Sequence, residues 1–488
     1  MHYEQQGSVF VQRSTFKKIL VLDAIVSLGI VLLIVGYVLS RPVKQTPPDT
    51  KIDPKGPNIV LIVMDAFRQD RLGANRNGVP LTPFLDSLQS EAAVFSNAVT
   101  ACTWTRPAMA SLYTSLYVYT HQVIFNEPVL AESDISDALS PTLPIISTIL
   151  KDAGYHTVGI QANGNLFPEF GFHRGFDIYR TALDAKGSLL TDWAIQEVDR
   201  TVEPFFLYVH YMDPHLPYDP PQEYRDIVGY TAEGLTAAER EIVENFREYY
   251  MEHCKAFTGR TTGSPFAALS PAGMEGVKAL YDAEIRYTDE EVRHLVEHVR
   301  QKDPNTVFIV LADHGEHFWD HGLLGHGLSL YDCEVRIPLL LFGGDVKGGV
   351  FEQPVEIIDI LPTVAKLTGV APMQGWQGSD LFSRQEKPLF SKTRGPSPAW
   401  NTHLEMVISA GKKMILNRGN DTVQLYAWPG DPEEKDELSA AFPEEVRRLK
   451  SIAGEQMRRN HALISGAAGT TVMDEETREQ LRRLGYME

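Results

Sequence analysis

Short, unbroken apolar runs punctuate the chain, and several close on a residue with metal- or proton-handling chemistry. Residues 58–64 (NIVLIVM) end at Asp65, and runs over 157–161, 204–210, 306–312 and 337–342 repeat the pattern. Apolar runs of this length without alternation predict strands buried on both faces. Helical periodicity fills the intervals at 82–91, 144–153 and 276–301. This alternation predicts an α/β fold, a mostly parallel sheet covered by helices on both sides. Ligands of such sheets bind beyond the carboxyl ends of the strands. Asp65, the segment 210–215 and Asp313 each follow an apolar run, so all three are predicted on one sheet edge.

The N-terminal region departs from this rhythm. Residues 19–40 form one long apolar stretch with a single charge, Asp23. A helix needs roughly 20 apolar residues to cross a bilayer, so the stretch predicts a transmembrane anchor. Arg13, Lys17 and Lys18 precede it and favour a cytoplasmic N-terminus over 1–18; Arg41, Lys44 and Lys51 pull the other way. Leu39-Ser40-Arg41-Pro42 makes a poor signal-peptidase site, which favours an uncleaved single-pass anchor. The expectation is a membrane protein whose remaining residues are extracytoplasmic.

Residues 41–56, rich in Pro and Lys, read as a linker to a main domain over 57–385. Within it, the polar, helix-prone stretch 222–275 breaks the alternation and is expected as an insertion or lid over the site. Strands predicted at 403–409, 413–417 and 422–428 define an antiparallel C-terminal subdomain, 386–437. A helical tail over 438–488 follows, with 467–472 expected to be loose.

Composition narrows the function. A net charge of −19 without a basic stripe excludes sequence-independent nucleic-acid binding. Cys102, Cys254 and Cys333 lie far apart without metal-ligand spacing and are expected as free, buried thiols.

The chemistry concentrates in three segments. Asp313-His314-Gly315-Glu316 follows a strand and offers two adjacent metal ligands if Gly315 lets the chain turn tightly. Asp65 is a third ligand candidate, or else a helix cap. Thr105-Arg106-Pro107 leads into a helix-prone segment, which places the Thr105 hydroxyl at a helix N-terminus where an anion is favoured. A hydroxyl attacks an ester at neutral pH only with help from a base, a metal or such a terminus.

Seven segments then carry a family resemblance, in order across roughly residues 57–437: PNIVLIVMDAFRQDRLG, LTPFLDSLQSEAAVFSNAV, TRPAMASLYTS, FFLYVHYMDPHLPY, VLADHGEHF, GHGLSLYDCEVRIPLLLFG and LYAWPGDPEEKDEL. The chain resembles the sulfatase branch of the alkaline phosphatase superfamily. That resemblance implies an alkaline phosphatase-like α/β sandwich, with a mostly parallel sheet and a small antiparallel C-terminal subdomain. It implies that Asp65, Asp313 and His314 bind a divalent metal together with Thr105 at the nucleophile position. His215 and His326 would touch the ester oxygens or the leaving group, and Arg106 would be a further anion contact. His210 and Asp213 could serve a second metal, or only fix the loop.

Two departures shape the expectation. Formylglycine sulfatases mature a Cys or Ser in C/S-x-P-x-R, whereas this chain has Thr105 in that place and Met109 where the Arg belongs. Cys102 stands the required distance before Arg106, but Trp104 replaces the Pro. The second departure is Asp65-Ala66, where two consecutive Asp are common; the His-containing, less oxygen-rich set favours Zn or Mn, with Ca as the alternative. Family members with an unmodified Thr typically act on phosphate esters. The expectation is therefore a metal-dependent hydrolase or phosphotransferase acting on a phosphate or sulfate ester through Thr105. The alternatives are a formylglycine sulfatase using Cys102 and a non-catalytic binding protein of the same fold. Lipid head groups and envelope glycans are the substrates that a membrane anchor brings within reach.

Overall fold

The computed structural model describes residues 56–479, apart from 125–134, 184, 258–262, 384, 395–402, 465–468 and 476. The expected cytoplasmic segment 1–18, the anchor 19–40 and nearly all of the linker lie outside the described residues, as does the end of the tail. Among the described residues, no helix is long and apolar enough to cross a membrane.

Eight strands build the central sheet: β1 (Ile59–Met64), β2 (Ala93–Phe95), β3 (His156–Gln161), β4 (Ile178–Thr181), β5 (Phe205–Tyr211), β6 (Val307–Leu311), β7 (Leu339–Phe342) and β8 (Gly349–Phe351). Their order is β8-β2-β7-β6-β1-β5-β3-β4. β6, β1, β5, β3 and β4 run parallel to one another, whereas β7 is antiparallel to both β6 and β2. The expected mostly parallel sheet is therefore present, with its antiparallel exceptions on one side. Every residue of β1, β5, β6 and β7 is buried, which is why these segments read as unbroken apolar runs. β2, β4 and β8 are short or half-exposed and carried no comparable signal.

Helix α1 (Thr105–Thr114) is buried along its whole length, and α2 (Gly187–Arg200) and α3 (Pro271–Lys302) pack against each other. α3 begins five residues before its expected start at Gly276. Ser270 caps it by accepting from Gly273 N, and Pro271 occupies its first turn, so the glycines at 273 and 276 do not delay it. The run expected as one strand over 337–342 divides at Pro338, with Arg336–Ile337 pairing instead with Ala98–Val99. A proline cannot donate to the ladder, so the break follows.

The expected C-terminal sheet is present and gains an unforeseen first strand: β9 (Leu389–Arg394), β10 (His403–Ser409), β11 (Lys412–Asn417) and β12 (Thr422–Ala427), antiparallel throughout. Helix α4 (Pro443–Leu463) lays Leu449 and Ala453 on its apolar face. The stretch 467–472, expected to be loose, instead contributes Gly469–Val472 as a strand paired with Ile135–Ala138. Thr and Val tolerate extended backbone, and a distant partner strand completed the pairing that local composition could not reveal.

Leu61 lies at the centre of this arrangement, buried in β1 between β5 and β6. Leu61→Ala is expected to cost about 2–5 kcal/mol in urea unfolding, the range for cavities at well-packed leucines; a loss below about 1 kcal/mol would contradict this packing.

Candidate active site

Parallel pairing brings the carboxyl ends of β1, β3, β5 and β6 to one edge. Val63 is in register with His210 and Leu311, and Gln161 with His210. The residues that follow therefore converge: Asp65 after β1, Asn163 after β3, His210 near the end of β5, and Asp313 and His314 after β6.

Asp65, Asp313 and His314 offer ligand atoms within 4.8 Å of one another, and all three are buried. Asp65 Oδ2 accepts from His210 Nε2 at 2.9 Å and from Asn163 Nδ2 at 2.6 Å. Asp313 Oδ1 accepts from the amides of His314 (2.9 Å) and Ala66 (3.2 Å). The remaining oxygens, Asp65 Oδ1 and Asp313 Oδ2, are buried without a hydrogen-bond partner. They lie 3.7 Å and 3.5 Å from His314 Nε2. His314 Nδ1 donates to the Gly315 carbonyl at 2.8 Å, which leaves Nε2 to present its lone pair. Two acceptor oxygens and an imidazole lone pair thus face one point, the donor set that a divalent cation satisfies.

The electrostatics carry the same demand. Burial and the charge of Asp65 raise the Asp313 carboxyl above its ordinary value. Burial disfavours a charged His314, yet Asp313 and Asp65 raise it overall. Burial would also raise Asp65, but His215, His210 and His314 hold it below the usual carboxylate range. The raised Asp313 and His314 report a negative pocket short of positive charge.

Thr105 is the first residue of α1, as expected from Pro107. Its hydroxyl accepts from Asn163 Nδ2 at 3.2 Å and lies 3.4 Å from His314 Nε2. The structure thus brings Thr105, Asp65, Asp313 and His314 together. His326 stacks beside them, its ring centroid 4.5 Å from that of His314 and 4.6 Å from that of His215. Burial lowers His215 to about 4 and His326 to about 3, so both rings are neutral at pH 7. His326 Nδ1 meets Glu316 Oε1 at 3.1 Å, and burial pushes Glu316 up to about 8.

Arg106 points elsewhere. Its guanidinium lies 3.6 Å from the Phe170 ring centroid, donates to Asn165 Oδ1 at 2.9 Å and bonds the Ser136 hydroxyl. Asn165 N in turn donates to Asn163 Oδ1, which links Arg106 to the cluster. His210 and Asp213 also part company. His210 joins the cluster through Asp65, whereas Asp213 turns to Gly187 N at the start of α2 (3.0 Å). Cys102 is buried in the core, where burial pushes its thiol up to about 12.

Asn163 is the site residue that sequence reasoning missed. It follows an apolar run just as Asp65 does, but an amide carries no metal or acid–base signature. The 222–275 insertion folds as helices Gln222–Ile227, Ala237–Glu244 and Phe246–Phe257. Phe246 packs on Tyr218 with ring centroids 5.1 Å apart, and the Tyr218 hydroxyl lies 3.3 Å from Glu316 Oε2. The stretch therefore meets the Glu316 side of the cluster at Tyr218.

Comparison with known proteins adds the following. A sulfatase family model matches residues 57–370. The arylsulfatase of Clostridium perfringens is 24% identical over 472 residues, covering 81% of this chain and 93% of that relative. A multifunctional alkaline phosphatase superfamily protein, PehA of Trinickia caryophylli, is 26% identical over 443 residues, covering 75% and 83%. The phosphonate monoester hydrolase of Agrobacterium radiobacter superposes with a TM-score of 0.65 at 18% identity, over 83% of this chain and 96% of that one.

Two measurements check this geometry. A Cβ at Gly315 would stand 2.0 Å from the Cys333 carbonyl oxygen, whereas one at Gly430 would meet nothing within 4 Å. Gly315→Ala should therefore cost about 1–3 kcal/mol or more and reduce bound metal, with Gly430→Ala near neutral. Cys102 should resist iodoacetamide at pH 7–8 until the chain unfolds. Because its ordinary value is 9.0, the unfolded thiol ionises above that pH while the folded one keeps its proton. Its contribution to stability therefore falls as pH rises from 9 towards 12.

Proposed function

Because the chain belongs to the sulfatase family of metal-dependent ester hydrolases, we propose that it acts through Thr105 on phosphate-type esters. The observation that carries this reading is the position of the Thr105 hydroxyl, 3.4 Å from His314 Nε2 and hydrogen-bonded to Asn163 beside the partnerless carboxylate oxygens. Asp65, Asp313, His314 and Thr105 would hold the metal, with Zn or Mn favoured by the His-containing donor set. A divalent cation bound there supplies Lewis-acid chemistry, favouring the threonine alkoxide and offsetting charge on the ester oxygens.

The chain's own residues do the rest. Asn163 donates to both Asp65 and Thr105, which fixes the hydroxyl relative to the carboxylate. The N-terminus of α1 directs its amides and dipole towards a bound anion. Thr105 Oγ attacks phosphorus, its O–P bond forms, and the leaving alcohol's O–P bond breaks with the electron pair going to that oxygen. His215 and His326, both neutral, would donate their ring N–H to the substrate oxygens, and one of them would take the Thr105 proton and pass it to the leaving oxygen. Water, or an acceptor alcohol, then releases the phosphoryl group from Thr105.

Sulfate esters are the second reading, supported by the relatives named arylsulfatase. The unmodified threonine weighs against it, since it cannot form the aldehyde hydrate that formylglycine provides. Cys102 is the weaker candidate, because burial pushes its thiol up to about 12 and it is not among the grouped Asp65, Asp313 and His314. The apolar stretch 19–40 would tether the domain at a bilayer and bring lipid head groups or envelope glycans within reach.

Hydrolysis of aryl phosphate mono- and diesters and an aryl sulfate tests the proposal. Phosphoester cleavage should be lost on chelation and return with Zn or Mn. Thr105→Ala should lower it by at least about 10³-fold, the order expected for removal of a covalent nucleophile. Sulfate cleavage that survives Thr105→Ala and is lost in Cys102→Ala would overturn the assignment.

A further inference from the structure

The turn that carries Asp313 and His314 is tied to a second cluster. Gly315 N donates to the Glu334 carbonyl at 2.8 Å and Glu316 N to the Cys333 carbonyl at 3.0 Å. Beside this connection, His317, Asp320 and Cys333 bring one nitrogen, one carboxylate oxygen and one sulfur within 4.8 Å of one another. Cys333 Sγ is 3.3 Å from His317 Nδ1. Two ligands on one tetrahedral zinc, with bonds of about 2.3 Å to sulfur and 2.0 Å to nitrogen, stand about 3.5 Å apart. The spacing already approaches that of a shared ion.

The surroundings orient these groups as ligands. His317 Nε2 lies 2.9 Å from Glu334 Oε2, which holds a proton on that nitrogen and leaves Nδ1 as the ring atom that faces Cys333 and would ligate an ion on losing any proton of its own. Glu334 is itself held by the amides of Leu328 (3.2 Å) and Ser329 (2.9 Å) and by the Ser329 hydroxyl. Asp320 Oδ2 is committed to Phe318 N (2.7 Å) and Arg68 Nη1 (2.7 Å), whereas Oδ1 has one longer contact, 3.4 Å to Arg68 Nη2. Asp320 and Cys333 also line a cavity of about 430 Å³, shared with Arg68, Asp70, His321 and Arg336, with room for water as a further ligand.

We propose that His317, Asp320 and Cys333 form a second metal site, of zinc class, separate from the Asp65–Asp313–His314 cluster. Thiolate and imidazole together select zinc over magnesium or calcium. Binding replaces the Cys333 S–H bond with a sulfur–metal bond and releases the proton to solvent, with no change of oxidation state. Because the carbonyls of Cys333 and Glu334 hold the amides of Glu316 and Gly315, the ion would brace the turn that presents Asp313 and His314.

Cobalt(II) titration of the purified full chain tests the site. A sulfur-to-cobalt charge-transfer absorption is expected, which the sulfur-free cluster at Asp65 cannot produce. Cys333→Ser should abolish it, and Glu334→Gln should weaken cobalt affinity about 10–100-fold by removing support from His317. On the unaltered chain, zinc at about ten times its Kd should slow iodoacetamide alkylation of Cys333, mapped by mass spectrometry, about tenfold. Absence of the absorption, or equal alkylation of Cys333 with and without zinc, would overturn the proposal and leave a metal-free thiol–imidazole pair. The alkylation measurement needs no variant, so it decides the matter even if Cys333→Ser fails to fold.

Discussion

Asp65 and Asp313 stand at the ends of adjacent parallel strands, both buried, and each keeps one oxygen without a hydrogen-bond donor. Two carboxylates removed from water at such separation repel each other and lose hydration, a cost of several kcal/mol unless positive charge is supplied. Around them the chain gathers what compensation it has: His210 and Asn163 on one oxygen of Asp65, two backbone amides on one oxygen of Asp313, and His314 between. The remaining deficit faces the Thr105 hydroxyl. The same uncompensated charge thus specifies where a cation belongs and which hydroxyl it would activate.

Holding that arrangement requires backbone that most sequences would not adopt. Ala66, directly after Asp65, takes φ +54°, a left-handed conformation unusual for a residue with a side chain. The Tyr281 hydroxyl clamps this bend, donating to Ala66 O at 2.8 Å while accepting from Arg68 N at 2.9 Å. On the other strand, Gly315 lets the turn approach the Cys333 carbonyl more closely than any Cβ would permit. The consequences are local: Ala66 N reaches Asp313, and Gly315 O accepts from His314 Nδ1. The bend after β1 therefore helps position a carboxylate contributed after β6.

The small antiparallel sheet contributes through the same connection. Lys413 on β11 is buried between Asp332 (2.6 Å) and Glu434 (2.7 Å), which anchors the residue immediately before Cys333. Removing any one member of such a triad would leave a buried charge uncompensated. Here the triad joins the C-terminal sheet to the segment that supports the 313–316 turn.

The α/β class, the core strands, the C-terminal strands over 403–427 and the sheet edge that gathers Asp65, Asp313 and His314 were legible in the sequence. Buried parallel strands must be apolar throughout, and their carboxyl ends must align. Asp65, Asp313 and His314 could be named because each is a potential ligand placed directly after such a run, and Thr105 because Pro107 marks a helix start. What the sequence could not determine was direction and partnership. Arg106 adjoins Thr105 in sequence, yet its side chain meets Phe170 and Asn165, because successive residues of a helix face different ways. Asn163 bears no distinctive chemistry and acquires a role only because β3 lies beside β5, two positions from β1. Cys333 and His317, separated along the chain and without ligand spacing, become neighbours because the 313–316 turn pairs with residues 333–334. Periodicity reports which residues are buried; only the tertiary fold decides what each buried group meets.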